Sequence, residues 1–457
     1  MSLSIVILAA GQGTRMKSAR PKLLHELAGK SLLQHIVDAS RVVDPEQIIV
    51  VVGHGAEQVR SRMGDQGLSF VEQSEQLGTG HALQQCLDIV TNGNDVLVLV
   101  GDVPLIRAET LSTLIEQGKQ AAVCVLSFIP DNAFGYGRIV RDDNQNVTAI
   151  VEQKDTTPAQ AEIDECNSGI LLIKGEQLRE LVMSIDNNNA QGEYYLTDVV
   201  AIAAAKKAST TAVVCMDASE VNGVNNQQQL AVVESLYRKR QADALMTQGV
   251  KLYDPDRIDI RGEITVGRDV EIDVNCIFEG AVTLGDNVRI GANCVIRNSS
   301  IAAGSEIKPM TSIDEAMIGH DVSIGPFARI RPGTDLDDEA KIGNFVETKK
   351  SKIGKGSKVN HLSYIGDTEM GSGVNIGAGT ITCNYDGANK FTTVIEDGVF
   401  IGSDTQLVAP VTVARNATIG AGSTITKDAP ADKLTVSRAK QVTIDSWSKP
   451  VKQTKEI

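Results

Sequence analysis

Val282-Thr-Leu-Gly-Asp-Asn-Val-Arg-Ile-Gly-Ala-Asn-Cys-Val-Ile296 decides the architecture of half of this chain. Its apolar residues recur at every sixth position, Leu284, Ile290 and Ile296, and a glycine or another small residue often follows, as in Ile290-Gly291. Counted outward by sixes, the pattern reaches back through Phe278 and Ile272 to Val266. After a one-residue slip it resumes as Ile318, Ile324, Ile330, Leu336 and Ile342, and again as Ile395, Ile401, Leu407, Val413, Ile419 and Ile425. A period of six fits neither the 3.6 of a helix nor the 2 of a simple strand. Each hexad reads instead as a short parallel strand plus a turn, three to a triangular coil, with the apolar residue inward. Stacked about 4.8 Å apart, such coils cover one another's cores, so the array is stable only as a stack. The expected fold of this half is a left-handed parallel β-helix of hexapeptide repeats.

The first half follows another rule. Ser4-Ile-Val-Ile-Leu-Ala-Ala10 is a buried-strand pattern running directly into Gly11-Gln-Gly-Thr-Arg-Met16. Ile48-Ile-Val-Val-Val52 ends at Gly53-His-Gly55, and Val96-Leu-Val-Leu-Val100 ends at Gly101-Asp102. Helix-like stretches such as 31–42 and 80–90 lie between them. Strand–helix alternation predicts a Rossmann-like α/β domain with a mainly parallel sheet and ligands at the carboxyl ends of its strands. Gly11 and Gly13 let backbone approach a phosphate chain and donate N–H groups to it, while Arg15 and Lys22 add positive charge. The loop matches neither G-x-x-x-x-G-K-[ST] nor G-x-G-x-x-G. Taken alone, it reads equally well as a tight turn.

Composition bounds the function. With 457 residues the chain holds about two to three domains. A net charge of −14 argues against a nucleic-acid or membrane partner, so local lysines and arginines must account for any anionic ligand. The seven cysteines form no C-x-x-C pair, which suits free thiols in a reducing cytoplasm. No leader or apolar run long enough to span a membrane is visible. Residues 228–250 read as one helix, with Leu230, Val233, Leu236 and Tyr237 at helical spacing and Gly249 as its stop. Arg238-Lys239-Arg240 within it reads as a solvated face. The last six residues read as a frayed end.

Leu8-Ala-Ala-Gly-Gln-Gly-Thr-Arg-Met16, followed by Pro21-Lys22, resembles the signature of the sugar-1-phosphate nucleotidyltransferases. Gln73, Gly78-Thr-Gly80, Gly101-Asp102, Gly135-Tyr-Gly-Arg138, Glu152, Asn167 and Val224-Asn-Asn226 extend the likeness across the stretch 1–227. With the hexads, the chain resembles the bifunctional N-acetylglucosamine-1-phosphate uridylyltransferase/glucosamine-1-phosphate N-acetyltransferase family over nearly its whole length. The boundaries this implies are 1–227 for a nucleotidyltransferase (pyrophosphorylase) domain, 228–250 for a linker helix, and 251–457 for a β-helix acetyltransferase domain with a C-terminal tail. By resemblance, Arg15 and Lys22 hold the triphosphate of UTP, and Leu8, Ala9, Ala10 and Gly11 line its site. Gln73, Gly78 and Thr79 read the uracil edge. Asp102 and Asn225 hold Mg²⁺, and Gly137, Glu152 and Asn167 bind N-acetylglucosamine. A tyrosine can precede Gly101-Asp102 in the family, whereas this chain has Val100.

In the hexad half the polar residues crowd between Arg329 and Tyr385, and 382–393 is an insertion too long for a hexad turn. Acetyl transfer to an amino sugar needs a base to take an ammonium proton, and an imidazole titrates near neutral pH. By resemblance His361 is that base, with Glu347 expected to orient its ring. Arg331, Lys349, Tyr364, Asn375 and Lys390 bind glucosamine-1-phosphate. Ala378, Asn384, Tyr385, Ser403, Ala421 and Arg438 bind acetyl-CoA. The resemblance and the coil type imply a homotrimer. Two alternatives stay open from residues alone: the β-helix is only an oligomerising or regulatory module, or the chain is a non-catalytic scaffold.

Overall fold

The computed structural model describes residues 2–452, and the expected frayed end at 452–457, apart from Lys452, lies outside them. The chain divides into two compact units, Met1–Arg240 and Gln241–Ile457. In the first, strands β1 (Leu3–Ala9), β2 (Gln47–Val52), β3 (Ser69–Glu72), β4 (Asp95–Val100), β5 (Val123–Phe128), β6 (Cys166–Ile173) and β7 (Thr210–Val214) lie in the order β7-β5-β6-β4-β1-β2-β3. All neighbours are parallel except β6, which runs antiparallel to both β4 and β5. The central strands are unbroken apolar runs because both faces are covered. Ile5 and Ile7 share one core with Ile36 and Leu111, and Val6 shares the other with Leu83 and Leu181. The chain leaves β1 toward β2 and β3, then crosses to β4 on the other side. That reversal leaves a crevice outside the carboxyl ends of β1 and β4, where Gly11 and Asp102 emerge.

Helix α1 (Gln227–Thr247) occupies the expected linker segment. Its Leu230 and Val233 pack with Met16, Leu27 and Leu105 of the first unit. Its Ala242 and Leu245 belong to the core of the second. Arg240 departs from the expected solvated face: it donates to Leu105 O at 2.6 Å and to Ser219 Oγ at 3.2 Å.

The second unit is a parallel β-helix. Glu271 pairs with Arg289 and Arg289 with Glu306, so each strand lies on the one a full coil before it. The first of these steps is three hexads long and the second is one residue shorter. The hexad ladder is the inner column: from Ile272 onward every one of those residues is buried, and only Val266 in the first coil is half-buried. Between Ile296 and Ile318 the expected single slip is in fact two pentads, Ile296 to Ile301 and Ile313 to Ile318, and each shortens its coil by a single residue. Two inward positions carry hydroxyls instead of hydrocarbon, Thr348 and Thr382, both fully buried. The 382–393 insertion lengthens one coil, pairing Asn375 with Phe400, without loss of register above it.

At the turns most left-handed residues are Asn, Asp or Gly, the types that tolerate positive φ. One corner column departs from this. Met310, Phe327, Phe345 and Leu362 hold φ of 61°, 58°, 57° and 46° and stand at least 49% exposed. The Phe327 and Phe345 rings stack with centroids 5.3 Å apart.

Candidate functional sites

The crevice at β1 and β4 holds a cavity of about 310 Å³, within the usual size for a small-molecule site. It is lined by Leu8, Ala9, Ala10, Gly11, Lys22, Gln73, Gly78, Thr79 and Asp102 of the expected set. Glycine is needed here for two different reasons. A Cβ on Gly11 would meet nothing within 4 Å, so its absence leaves room for a ligand. At Gly78 (φ 118°) a Cβ would lie 2.5 Å from Tyr194 O, so only glycine lets that loop close on the 194 backbone.

At the cavity's charged end Lys22 Nζ lies 2.6 Å from Asp102 Oδ2 and 2.9 Å from Asn225 Oδ1. Arg15 Nη2 donates to the same Asn225 oxygen at 2.9 Å. The loop carrying Asn225 is fixed because Val224 N–H donates to Asp102 O at 2.8 Å. Two hard oxygens thus converge on a cation, here the Lys22 ammonium. Among the described residues no three His, Cys, Asp or Glu side chains cluster. One carboxylate and one amide still suit Mg²⁺, which keeps several waters and takes phosphate oxygens from its substrate.

Gly137, Glu152 and Asn167 also come together. Asn167 N–H donates to Gly137 O at 2.8 Å, and a Cβ on Gly137 would stand 3.4 Å from Glu152 Oε1. Thr197 Oγ donates to Glu152 Oε1 at 3.2 Å, and the adjacent Leu196 N–H donates to Thr79 Oγ at 3.0 Å, which ties the trio to the cavity wall. Burial pushes the Glu152 carboxyl above its usual range, opposed by the Thr197 hydrogen bond. Sequence reasoning missed Thr197 and the cavity-lining Gln76 and Glu193. Gln76 was within reach of it, three residues from Gln73. Val100 lines the cavity and touches the Gly169 position, where a Cβ would sit 3.1 Å from its Cγ1.

In the β-helix, Arg331, Lys349 and Lys390 form one cationic group. The Lys349 ammonium is held below its usual range chiefly by Lys390 beside it, with Arg331 adding to the effect. Like charges so close favour an anion between them. Tyr364 lies one coil above Glu347 in register. The insertion closes as a small hairpin, with Tyr385 bridged to Lys390 and Asp386 Oδ1 accepting from Ala388 N–H and Asn389 N–H. Asn384 is buried and donates to Asp367.

Within one chain Glu347 does not reach His361. It accepts from Arg331 Nη1 at 2.6 Å, the stronger electrostatic partner. The ring's partner is Asn344, one coil below, whose Oδ1 lies 3.1 Å from His361 Nδ1. With that oxygen accepting from Nδ1–H, Nε2 keeps its lone pair. Asn375 shares the sheet of His361, whereas Lys349 and Tyr364 lie on the other sheet and Arg331 directly follows one of its strands. A single chain therefore divides the expected sugar-phosphate residues between two sheets.

Ala378, Ser403 and Ala421 stack on successive coils: Asp404 N–H donates to Ala378 O at 2.7 Å and Gly422 N–H to Ser403 O at 2.8 Å. A Cβ on the preceding Gly377 or Gly402 would come within 2.5 Å of the next coil's backbone. Arg438 Nη1 donates to Ala421 O at 2.8 Å, which brings the guanidinium to the same column. Trp447 is 66% exposed.

Residues 5–147 match the MobA-like NTP transferase domain, 260–344 the GMPPB C-terminal domain, and 392–427 the six-repeat bacterial transferase hexapeptide. Proteins named bifunctional protein GlmU from Ralstonia pickettii and Cupriavidus pinatubonensis are 55% and 54% identical, each over 99% of this chain and 100% of the relative. Another from Marinobacter nauticus is 54% identical over 98% of this chain and 99% of its own length. No helix of the described residues is long and apolar enough to cross a membrane. With nucleotidyltransferase and hexapeptide transferase units in one chain, and relatives this similar end to end, the chain belongs to the family of the bifunctional protein GlmU.

Proposed function

We propose that this chain makes UDP-N-acetylglucosamine in two steps. The β-helix transfers acetyl from acetyl-CoA to glucosamine-1-phosphate, and the first unit then transfers UMP from UTP to N-acetylglucosamine-1-phosphate, releasing pyrophosphate. The observation that carries the reading is that each unit gathers its own cation cluster, Arg15 with Lys22 and Lys349 with Lys390.

In uridylyl transfer a sugar-phosphate oxygen attacks the α-phosphorus and pyrophosphate leaves, so the protein must position and neutralise converging anions. Asp102 and Asn225 would hold Mg²⁺, which when bound neutralises phosphate charge. Lys22 and Arg15, within reach of the same oxygens, turn to the triphosphate. Gly137, Glu152 and Asn167 orient the sugar, and Gln73, Gly78 and Thr79 hold the base.

In acetyl transfer, His361 Nε2 takes a proton from the substrate ammonium while Nδ1–H stays on Asn344. The freed amine attacks the thioester carbonyl; as the adduct collapses the C–S bond breaks, the nitrogen gives up a second proton, and CoA leaves as the thiol. Arg331, Lys349, Lys390 and Tyr364 hold the 1-phosphate. Asn384 and Tyr385 lie beside the acetyl group, and CoA runs along Ala378, Ser403 and Ala421 to Arg438.

The reading includes a homotrimer and a cytoplasmic location. Support for the trimer comes from the exposed Met310–Leu362 column, bulky apolar residues held at corners where Asn or Gly would serve a free surface better. A neighbouring copy would bring the His361 and Asn375 sheet against another chain's cationic sheet. The decisive experiment compares wild type with His361→Ala in two assays, CoA release and pyrophosphate release. CoA release falls at least about a hundredfold while pyrophosphate release is kept. A wild type that releases no CoA from acetyl-CoA and glucosamine-1-phosphate defeats the acetyltransferase half.

A further inference from the structure

Gln73 is the one expected base-reading side chain that is nearly sealed in the wall of its cavity, at 3% exposure. Its Nε2 donates to Gly78 O at 3.0 Å and meets His81 Nδ1, also at 3.0 Å. A backbone carbonyl only accepts, so the amide atom facing Gly78 must be the NH₂ group. An NH₂ group only donates, so His81 Nδ1 is the unprotonated ring nitrogen. His81 Nε2 therefore carries the ring proton and can be met only by the oxygen of the Gln85 amide group, which lies 3.1 Å away. Both N–H bonds of Gln73 are thereby used, and no group among the described residues donates to its Oε1.

We infer that His81 is a positioning residue for nucleobase choice: with Gly78 O it anchors Gln73 so that the base edge meets a bare carbonyl oxygen. The inference rests on the uridylyl-transfer reading above and deepens it. Uracil presents N3–H, which such an oxygen accepts. Cytosine presents an unprotonated N3 in the same place, so lone pair would face lone pair. One anchor alone is a hinge. Without an acceptor at position 81 the second N–H of Gln73 is released, the amide can swing, and that N–H can serve a base bearing an acceptor. Sites that hydrogen-bond a substrate group discriminate strongly because a mismatch leaves buried polar atoms unpaired.

The test uses the full chain and N-acetylglucosamine-1-phosphate, with kcat/KM measured for UTP and for CTP. His81→Phe keeps a ring but offers no acceptor, and should lower the UTP-to-CTP preference by about tenfold or more, chiefly through KM for UTP. KM for the sugar phosphate should stay within about twofold. His81→Asn places an amide oxygen near the Nδ1 position and should recover the preference to within about threefold of wild type. Equal losses for the two nucleotides, with the preference intact, would overturn the inference, as would an Asn variant no more selective than the Phe one. His81→Leu supplies the same readout if the Phe variant does not fold, with CoA release reporting an intact chain. A wild type that turns over CoA but releases no pyrophosphate from UTP overturns the uridylyl reading itself.

Discussion

In the first unit Arg15 touches Asn225 across 210 residues of chain, whereas in the second Asn344 touches His361 because 17 residues make one coil. The α/β site depends on the whole topology, with β1, β4 and the 224–225 loop all in place before any cation cluster exists. Its reward is a cavity with a charged end and a base-reading wall. The coil site depends on local arithmetic: residues a coil apart are neighbours wherever the stack is intact. Its drawback is openness, since the expected substrate residues lie on two sheets that no single chain folds around a ligand.

The contrast can be broken most forcefully at Asp102. Asp102→Asn should lower pyrophosphate release by about 10²- to 10³-fold and leave CoA release unchanged, since the two clusters share no residue. Parallel loss of both activities would show that the sites are not separate. On the coil side, Asn344→Ala should cut kcat for CoA release by about tenfold without altering pyrophosphate release, a part of the roughly 10²- to 10⁴-fold that a positioned general base contributes. An unchanged rate would mean that the ring is held by something else.

Stability offers finer tests. The Thr382 hydroxyl accepts from Gly366 N–H at 2.8 Å and donates to Gly366 O at 3.0 Å inside the stack. Thr382→Val strands that buried N–H and should destabilise the β-helix by about 1–3 kcal/mol. At Thr348 the hydroxyl's partner, Thr334 Oγ at 3.2 Å, keeps its own bond to Arg331 O at 2.8 Å. Thr348→Val should therefore cost less, and denaturant unfolding followed with a β-helix probe ranks the two; the reverse order would refute this account of the polar rungs.

The smallest effect is one of pH in the first unit. Burial, reinforced by Asp186, Glu152 and Asp155, pushes the Asp198 carboxyl up to about 6. The folded chain then holds this proton more tightly than the unfolded chain, so the group's contribution falls as pH rises from the ordinary aspartate range through about 6. Asp198→Asn removes that loss, and the variant's melting temperature should gain on wild type more at about pH 8 than at about pH 5. An equal difference at both pH values would show that the carboxyl does not titrate in that window.

The periodic parts of the molecule were the legible ones. A count by sixes needs only hydrophobicity, and it marked the buried column over 272–296, 318–342 and 395–425; it passed over 301–313, where pentads shift the phase, and 348–382, where Thr348 and Thr382 replace hydrocarbon. Strand runs ending in glycine pointed to the crevice because topology places ligands there. Residues that act through a partner were hidden. Asn344 is an ordinary turn asparagine until the coil length sets it beside His361. Arg240 reads as solvated until Leu105 O is seen to accept from it, and nothing in the spacing says that within one chain Glu347 is taken by Arg331. Thr197 reaches Glu152 only because the hairpin 138–151 and the start of the 198–205 helix converge, and no spacing in the chain encodes that.

The enlarged rung between Asn375 and Phe400 carries a consequence for how such a molecule changes over time. Register is conserved above the hairpin although the rung is longer than its neighbours, so the stack counts storeys and ignores their floor area. A whole storey could be gained or lost below Arg329 with every spacing among Arg331, Lys349, His361 and Lys390 preserved. The height of the chemistry along the column is therefore free to drift, while the hairpin's sequence is not, because Tyr385 and Lys390 must still close it.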